Sequence, residues 1–230
     1  MVNNQHLVEV LCAIRFDPNQ NEWDSTFFGK YHELIKKRGF SEKREQKQVE
    51  FQVELKPVQS QSVLKEGQGQ IKMVFSNPEE KSAIIMTDNF ISFHKLAPYH
   101  TWGELIEKVA LPSLTDYYSI GLGKSIIEVQ CLYLNKYLLQ REESLTNYFN
   151  FFPIIPESIE TQVAFQGKYD LDLFNFVQLK LNTTLNETGK DIFFECSSFS
   201  NVSAEKEDFL ALAQKAHDNA NNAYNAIINK

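Results

Sequence analysis

Cysteine is scarce in this chain, and its three thiols, Cys12, Cys131 and Cys196, lie far apart in sequence. No CxxC pair exists, so neither a disulfide framework nor a thiolate zinc knuckle can be read from the spacing. An odd count inside strand-like apolar stretches suits reduced, buried thiols in a cytoplasmic protein. Positive charge is also short: 23 Lys and Arg stand against 30 Asp and Glu, giving a net charge of −7. Phosphate contacts dominate nucleic-acid affinity, so no nucleic-acid partner is expected of an acidic chain without a basic stripe. The most basic stretch, Lys36-Lys37-Arg38 with Lys43 and Arg44, is diluted by Glu42, Glu45 and Glu50 and reads as a solvated helix end. Long apolar runs are missing, and the start MVNNQHLVEV has neither the basic residues nor the apolar core of a signal peptide. The expectation is a soluble, cytoplasmic protein with no membrane contact.

Catalytic signatures are equally sparse. Gly121-Leu122-Gly123-Lys124-Ser125 has the end of a phosphate loop, but the required glycine five residues before Gly123 is Tyr118. The segment also precedes a strand pattern rather than a helix, so it reads as a turn and excludes nucleotide hydrolysis of that type. Of His6, His32, His94, His100 and His217, only His94 and His100 are near neighbours, and no cysteine or paired carboxylate joins them at ligand spacing. No metal site and no cofactor are expected. There is no Gly-x-Ser-x-Gly elbow, and the pairs Glu79-Glu80 and Glu142-Glu143 sit in polar stretches where solvated charge is the plain reading.

What the chain does have is aromatic bulk. It is 43% hydrophobic and 13% aromatic, with 18 Phe and 9 Tyr, a composition that favours a thick, sheet-rich core. Val8 to Phe16 alternates as a strand, ended by Asp17-Pro18-Asn19. Trp23, Phe27, Tyr31, Leu34 and Ile35 then follow helical spacing up to a capping Gly39. Val49 to Leu55 alternates again, and the polar stretch Pro57–Gly69 reads as a loop. Ile71–Phe75, Ala83–Thr87 and Phe90–Leu96 form a meander. A capping box, Thr101-Trp102-Gly103-Glu104, opens a second helix that Pro112 should kink or restart. Ile126–Leu139 is a long strand, followed by strands at Thr161–Gln166, Phe176–Leu185 and Ile192–Phe199, the last two joined by the hairpin signal Asn186-Glu187-Thr188-Gly189. A final helix, capped by Ser203, carries an alanine-rich stripe through Ala213, Ala216 and Ala220.

The fold class is therefore α+β: a largely antiparallel sheet of about seven to eight strands packed by three main helices. One domain spans 1–230, and the order admits two similar meander-plus-helix halves, 1–140 and 141–230, with no residue-level repeat between them.

Candidate functional residues come from one corner and one strand. His94, Tyr99, His100 and Trp102 cluster where a strand feeds a helix, where loops often carry function; the capping box there favours the plainer reading, that Tyr99 and Trp102 staple the helix entrance to the sheet. Arg15 sits mid-strand opposite Ile14 and Phe16, either solvent-facing or paired with a strand carboxylate such as Glu54.

Val8-Glu9-Val10 with Ile14-Arg15-Phe16, the run Phe90–Tyr99 leading to Trp102, and the helix holding His217 together resemble a sporadically distributed bacterial protein family of unknown function. Leu132-Tyr133-Leu134-Asn135-Lys136 is similar to the family's strand ending in an asparagine and a basic residue, which adds Asn135 to the candidates. The resemblance implies no reaction. Its patchy distribution implies an accessory role in mobile defence or toxin neutralisation.

Three functions are expected in turn: a non-enzymatic module binding a protein partner or its own copies, a small-ligand sensor with a pocket between the sheet and the last helix, and an enzyme of unrecognised type.

Overall fold

The computed structural model describes residues 6–20, 23–48, 51–54, 63–66, 70–140, 143–150, 164–187, 189–205 and 208–228. Its first strand, β1 (Leu7–Phe16), sends Val10, Cys12, Ile14 and Phe16 to one face, all fully buried. Burying each of the larger of these apolar side chains stabilises the fold by about 1.5–3 kcal/mol. β1 pairs antiparallel with β7 (Phe90–Leu96) on one side and β8 (Ser125–Gln140) on the other. Outward from β7 lie β6 (Ser82–Met86), β5 (Gln70–Asn77) and β2 (Glu42–Gln48). Outward from β8 lie β11 (Gly189–Glu205), β10 (Asn175–Leu185) and β9 (Ala164–Asp170). Among the described residues this makes a single nine-stranded antiparallel sheet, with β3 (Phe51–Glu54) and β4 (Val63–Glu66) paired as a separate ribbon. The α+β class holds, with slightly more strands than the alternation suggests.

The strand order has an internal symmetry. β5, β6 and β7 form a meander whose last strand returns to pair with β1, and β9, β10 and β11 form one whose last strand returns to β8. Read outward from the central β1–β8 pair, both wings have the same order. Each wing is followed by a helical segment, and the chain crosses from one to the other just before β8. The first wing carries one extra strand, β2, on the outer edge of β5.

All helices pack on the face that β1 covers with Val10 and Ile14. α1 (Thr26–Ile35) begins where Asp24 Oδ1 accepts the Thr26 N–H at 2.7 Å, and that bond holds the Asp24 carboxyl below its usual range. After the short helical turn Lys36–Arg38, the chain leaves through Gly39 at φ +89°, where a Cβ would lie 2.5 Å from Asn77 Nδ2. Tyr31 anchors α1: its Oη donates to the Ser113 carbonyl at 3.1 Å, and its ring packs edge-on to Phe75 and Tyr117.

The second helical segment runs without a break through α2 (Trp102–Glu104), a π-helical stretch at Leu105–Ala110 and α3 (Leu111–Ser119). Thr101 Oγ1 accepts the Glu104 N–H at 3.2 Å, as the capping box requires. The reciprocal half is absent, because Glu104 Oε1 takes Lys108 Nζ at 2.9 Å instead. The π stretch explains how Pro112 is accommodated. Proline cannot donate to the carbonyl four residues back and its ring crowds that carbonyl, so widening the preceding turn relieves both problems without a break.

α4 (Phe209–Ile227) lies on β8, β11 and β10 with Ala213, Ala216 and Ala220 buried against the strands. Ser203, expected as its cap, falls inside β11, which runs on to Glu205, so α4 starts after Asp208. Two further expectations change. Lys43 and Arg44 belong to β2 rather than to a helix end, and the polar stretch 57–69 contains β4. For β2 the reason is that alternation is weak where a strand is exposed along its length, so a polar edge strand resembles a loop or helix end. Val49, Leu55 and Thr161 lie outside the described residues.

Candidate functional site

The sheet face opposite the helices carries alternate residues of each strand: Leu11, Ala13 and Arg15 from β1, and Ser92 and His94 from β7. There His94 makes two side-chain bonds. Its Nδ1 lies 2.5 Å from Glu9 Oε1 and its Nε2 lies 2.7 Å from Ser92 Oγ. A carboxylate only accepts, so Nδ1 carries the proton and, in the neutral ring, Nε2 accepts from the Ser92 hydroxyl. This is the bonding order of a serine–histidine–carboxylate triad. Two observations argue against acyl transfer at this point. Ser92 is only 2% exposed, and β7 is hydrogen-bonded by β1 and β6 on both sides, so its amides are committed to the ladders rather than to an oxyanion. The arrangement satisfies three polar groups in the middle of a sheet.

Arg15 stands on the same face. Its partner is Glu128 of β8 at 3.4 Å, and its guanidinium lies 5.7 Å from the Phe90 ring centroid. The pattern repeats across the face: Lys136 pairs with Asp191 and covers Phe193, and Lys168 pairs with Asp170 and covers Phe176. Cation stems cover the half-buried rings of Phe90, Phe193 and Phe176 along this face.

Tyr99, Trp102 and Asn135 lie on the helix side. Trp102 stacks on His217 of α4 with ring centroids 4.7 Å apart and planes inclined by 7°. His217 Nδ1 bonds in turn to Tyr133 Oη, and Tyr99 lies beside Tyr133. Burial drives the Tyr99 and Tyr133 hydroxyls above their ordinary range and pushes the His217 imidazole down. One strand turn away, Tyr137 Oη and Tyr224 Oη meet at 2.5 Å. Asn135 is fully buried between these tyrosines on β8. Cys12, Cys131 and Cys196 are free and buried on this side, and burial raises all three thiols, Cys196 to about 12. Such thiols are poor nucleophiles. The network ties α2 and α4 to the centre of the sheet and is a packing device.

His100 is exposed and lines a groove of about 560 Å³ with Arg38, Ser82, Lys95, Glu104 and Lys108. Its charges are largely paired among themselves: Lys95 with Glu80, Lys108 with Glu104, and Arg38 with Asp116. The six candidate residues thus fall into three places, Arg15 and the buried His94 on the face opposite the helices, Tyr99, Trp102 and Asn135 on the helix side, and His100 at the groove. Among the described residues no three His, Cys, Asp or Glu side chains gather as a metal-binding group, and no helix is long and apolar enough to cross a membrane.

The strongest surface feature lies elsewhere, at the corner joining β9 to β10. Asp172 Oδ1 accepts the Phe174 and Asn175 amides at 2.8 and 2.9 Å, and the Phe174 amide, with the Asn175 side chain, holds its carboxyl below the usual range. Leu171 N–H donates to the Asn175 carbonyl at 2.8 Å, Asn201 N–H to the Phe174 carbonyl at 2.7 Å, and Ser200 Oγ to Asn175 Oδ1 at 2.7 Å. This braced turn carries Leu171, Leu173 and Phe174 at 51%, 94% and 57% exposure, next to Tyr169 at 49%. The only sequence signal was the mixture Leu171-Asp172-Leu173-Phe174, which reads equally as turn or core. Comparison with family models, curated proteins and solved structures finds no match to this chain, so a functional reading rests on its own geometry.

Proposed function

We propose that the chain is a non-catalytic binding protein that recognises a protein partner through the β9–β10 corner. The carrying observation is a turn held by Asp172 and Asn175 that keeps Leu173 almost wholly in water. Scattered single apolar residues on a surface need no explanation, but four within six residues on one braced turn form a patch. Holding that patch rigid lowers the ordering cost of binding. The surrounding charges, Lys168 with Asp170 and Lys215 with Asp172, balance each other, so an anionic membrane or nucleic acid gains little here and a protein surface gains most. An accessory-subunit role, as the family resemblance implies, fits such a surface.

A photo-reactive benzophenone residue placed at position 173, and separately at position 45 on β2, tests the reading in the native cell. Discrete protein adducts should form from position 173 and not from position 45. Equal labelling from both, or none from position 173, would overturn it.

A further inference from the structure

We infer that the partner at this corner is a second copy of the chain, whose β9 extends the sheet antiparallel to β9 about Tyr169. The inference rests on the reading of the corner just given and names its occupant.

The topology shows the place to be filled. In the first wing, β2 covers the outer edge of β5. β9 holds the equivalent position in the second wing, and among the described residues it pairs only with β10. An edge strand with one side unpaired among the described residues offers a row of backbone donors and acceptors to another strand. The other end of the sheet is ill suited to this, because β2 reads EKREQKQ, five charges in seven residues.

The side chains of β9 favour extension rather than solvation. Phe165 and Tyr169 stand opposite the buried Leu181 and Val177, so they lie on the helix side of the sheet. α4 packs on β8, β11 and β10. Tyr169 therefore continues the apolar layer past the last strand, with nothing beyond it among the described residues.

Register follows from symmetry and charge. Two copies of one strand related by a twofold axis normal to the sheet keep their faces aligned only if the axis passes through a residue. An axis at Lys168 opposes two lysines. One at Gly167 opposes Gln166 to Lys168 and Ala164 to Asp170, pairing no opposite charges. An axis at Tyr169 sets Lys168 against the partner's Asp170 twice. It also brings the two Tyr169 rings together. Opposite charges and aromatic pairs are both favourable cross-strand neighbours.

Sedimentation velocity across the micromolar range, combined with cysteine cross-linking, tests this. A reversible dimer is expected. Lys168→Asp should weaken it about tenfold by setting like charges opposite each other, and Lys168→Asp/Asp170→Lys should restore it. Tyr169→Cys should form a disulfide-linked dimer on mild oxidation and Gln166→Cys should not, the three native thiols being buried. Thermal melts of each variant separate misfolding from dissociation, since all four positions are exposed or at the edge. A monomer throughout, or a dimer indifferent to the charge swap and not linked through position 169, overturns the inference. If position 173 still yields adducts with a different protein, the corner remains the recognition surface and only its occupant is wrong.

Discussion

Tyr137 and Tyr224 offer the sharpest test of how α4 is held to the sheet. Both side chains are buried, and their hydroxyls meet at 2.5 Å across the β8–α4 interface. Replacing one tyrosine by phenylalanine removes a hydrogen bond and strands the other hydroxyl in an apolar setting. That loss is about 1–3 kcal/mol, most of it the desolvation of the orphaned group. Replacing both removes the bond and leaves no orphan, so Tyr137→Phe/Tyr224→Phe should cost only about 1 kcal/mol. With about 2 kcal/mol lost in each single variant and about 1 kcal/mol in the double, the cycle predicts a coupling of about 3 kcal/mol between two positions 87 apart in sequence. Urea unfolding of the wild type, both single variants and the double variant measures it, with an unchanged m-value confirming that the native state is the same. If the double variant equals the sum of the singles within about 0.4 kcal/mol, the hydroxyls do not act as a pair and this account of α4 docking is wrong.

Two further outcomes follow from the interior and the open face. His217 is kept neutral by burial, so its folded-state pKa lies below the unfolded one; stability should be complete above about pH 6.5 and fall as the unfolded state takes up a proton below that point. His217→Gln should flatten that part of the stability–pH curve in denaturant titrations, and an unchanged slope would remove His217 from the cause. Ser92, with its oxyanion donors committed to the sheet, should remain unlabelled by a fluorophosphonate probe in the native protein; stoichiometric labelling that Glu9→Gln abolishes would show a working nucleophile instead.

Strong period-two patterns made most of the sheet legible. Val10, Cys12, Ile14 and Phe16 placed β1 and its buried face, and the meander Ile71–Leu96 emerged from its turns. The capping threonine of α2 and the end of α1 at Gly39 were equally plain, because each is a local bond or a local φ. The failures were non-local. Nothing near Ser203 shows that β8, a partner far back in the chain, would draw β11 on to Glu205. The candidate residues suffered in the same way. His94 was found by its neighbours in sequence, whereas its partner Glu9 lies 85 residues away. Trp102 was identified without its stacking partner, His217, which comes from the other end of the chain. The β9–β10 corner escaped notice because exposure of Leu173 depends on Asp172 and Asn175 bracing the turn, and hydrophobic pattern alone assigns leucine to the interior.

Hydroxyl-radical footprinting of Tyr169, Leu171, Leu173 and Phe174 bears most directly on the claim that this corner is a recognition surface. The rates should be compared between dilute purified protein and protein in its native cell. The four residues should be labelled readily when dilute and should fall together, severalfold, in the cell, while exposed Leu138 on the open face keeps its rate. Equal labelling of the corner in both settings would contradict the account.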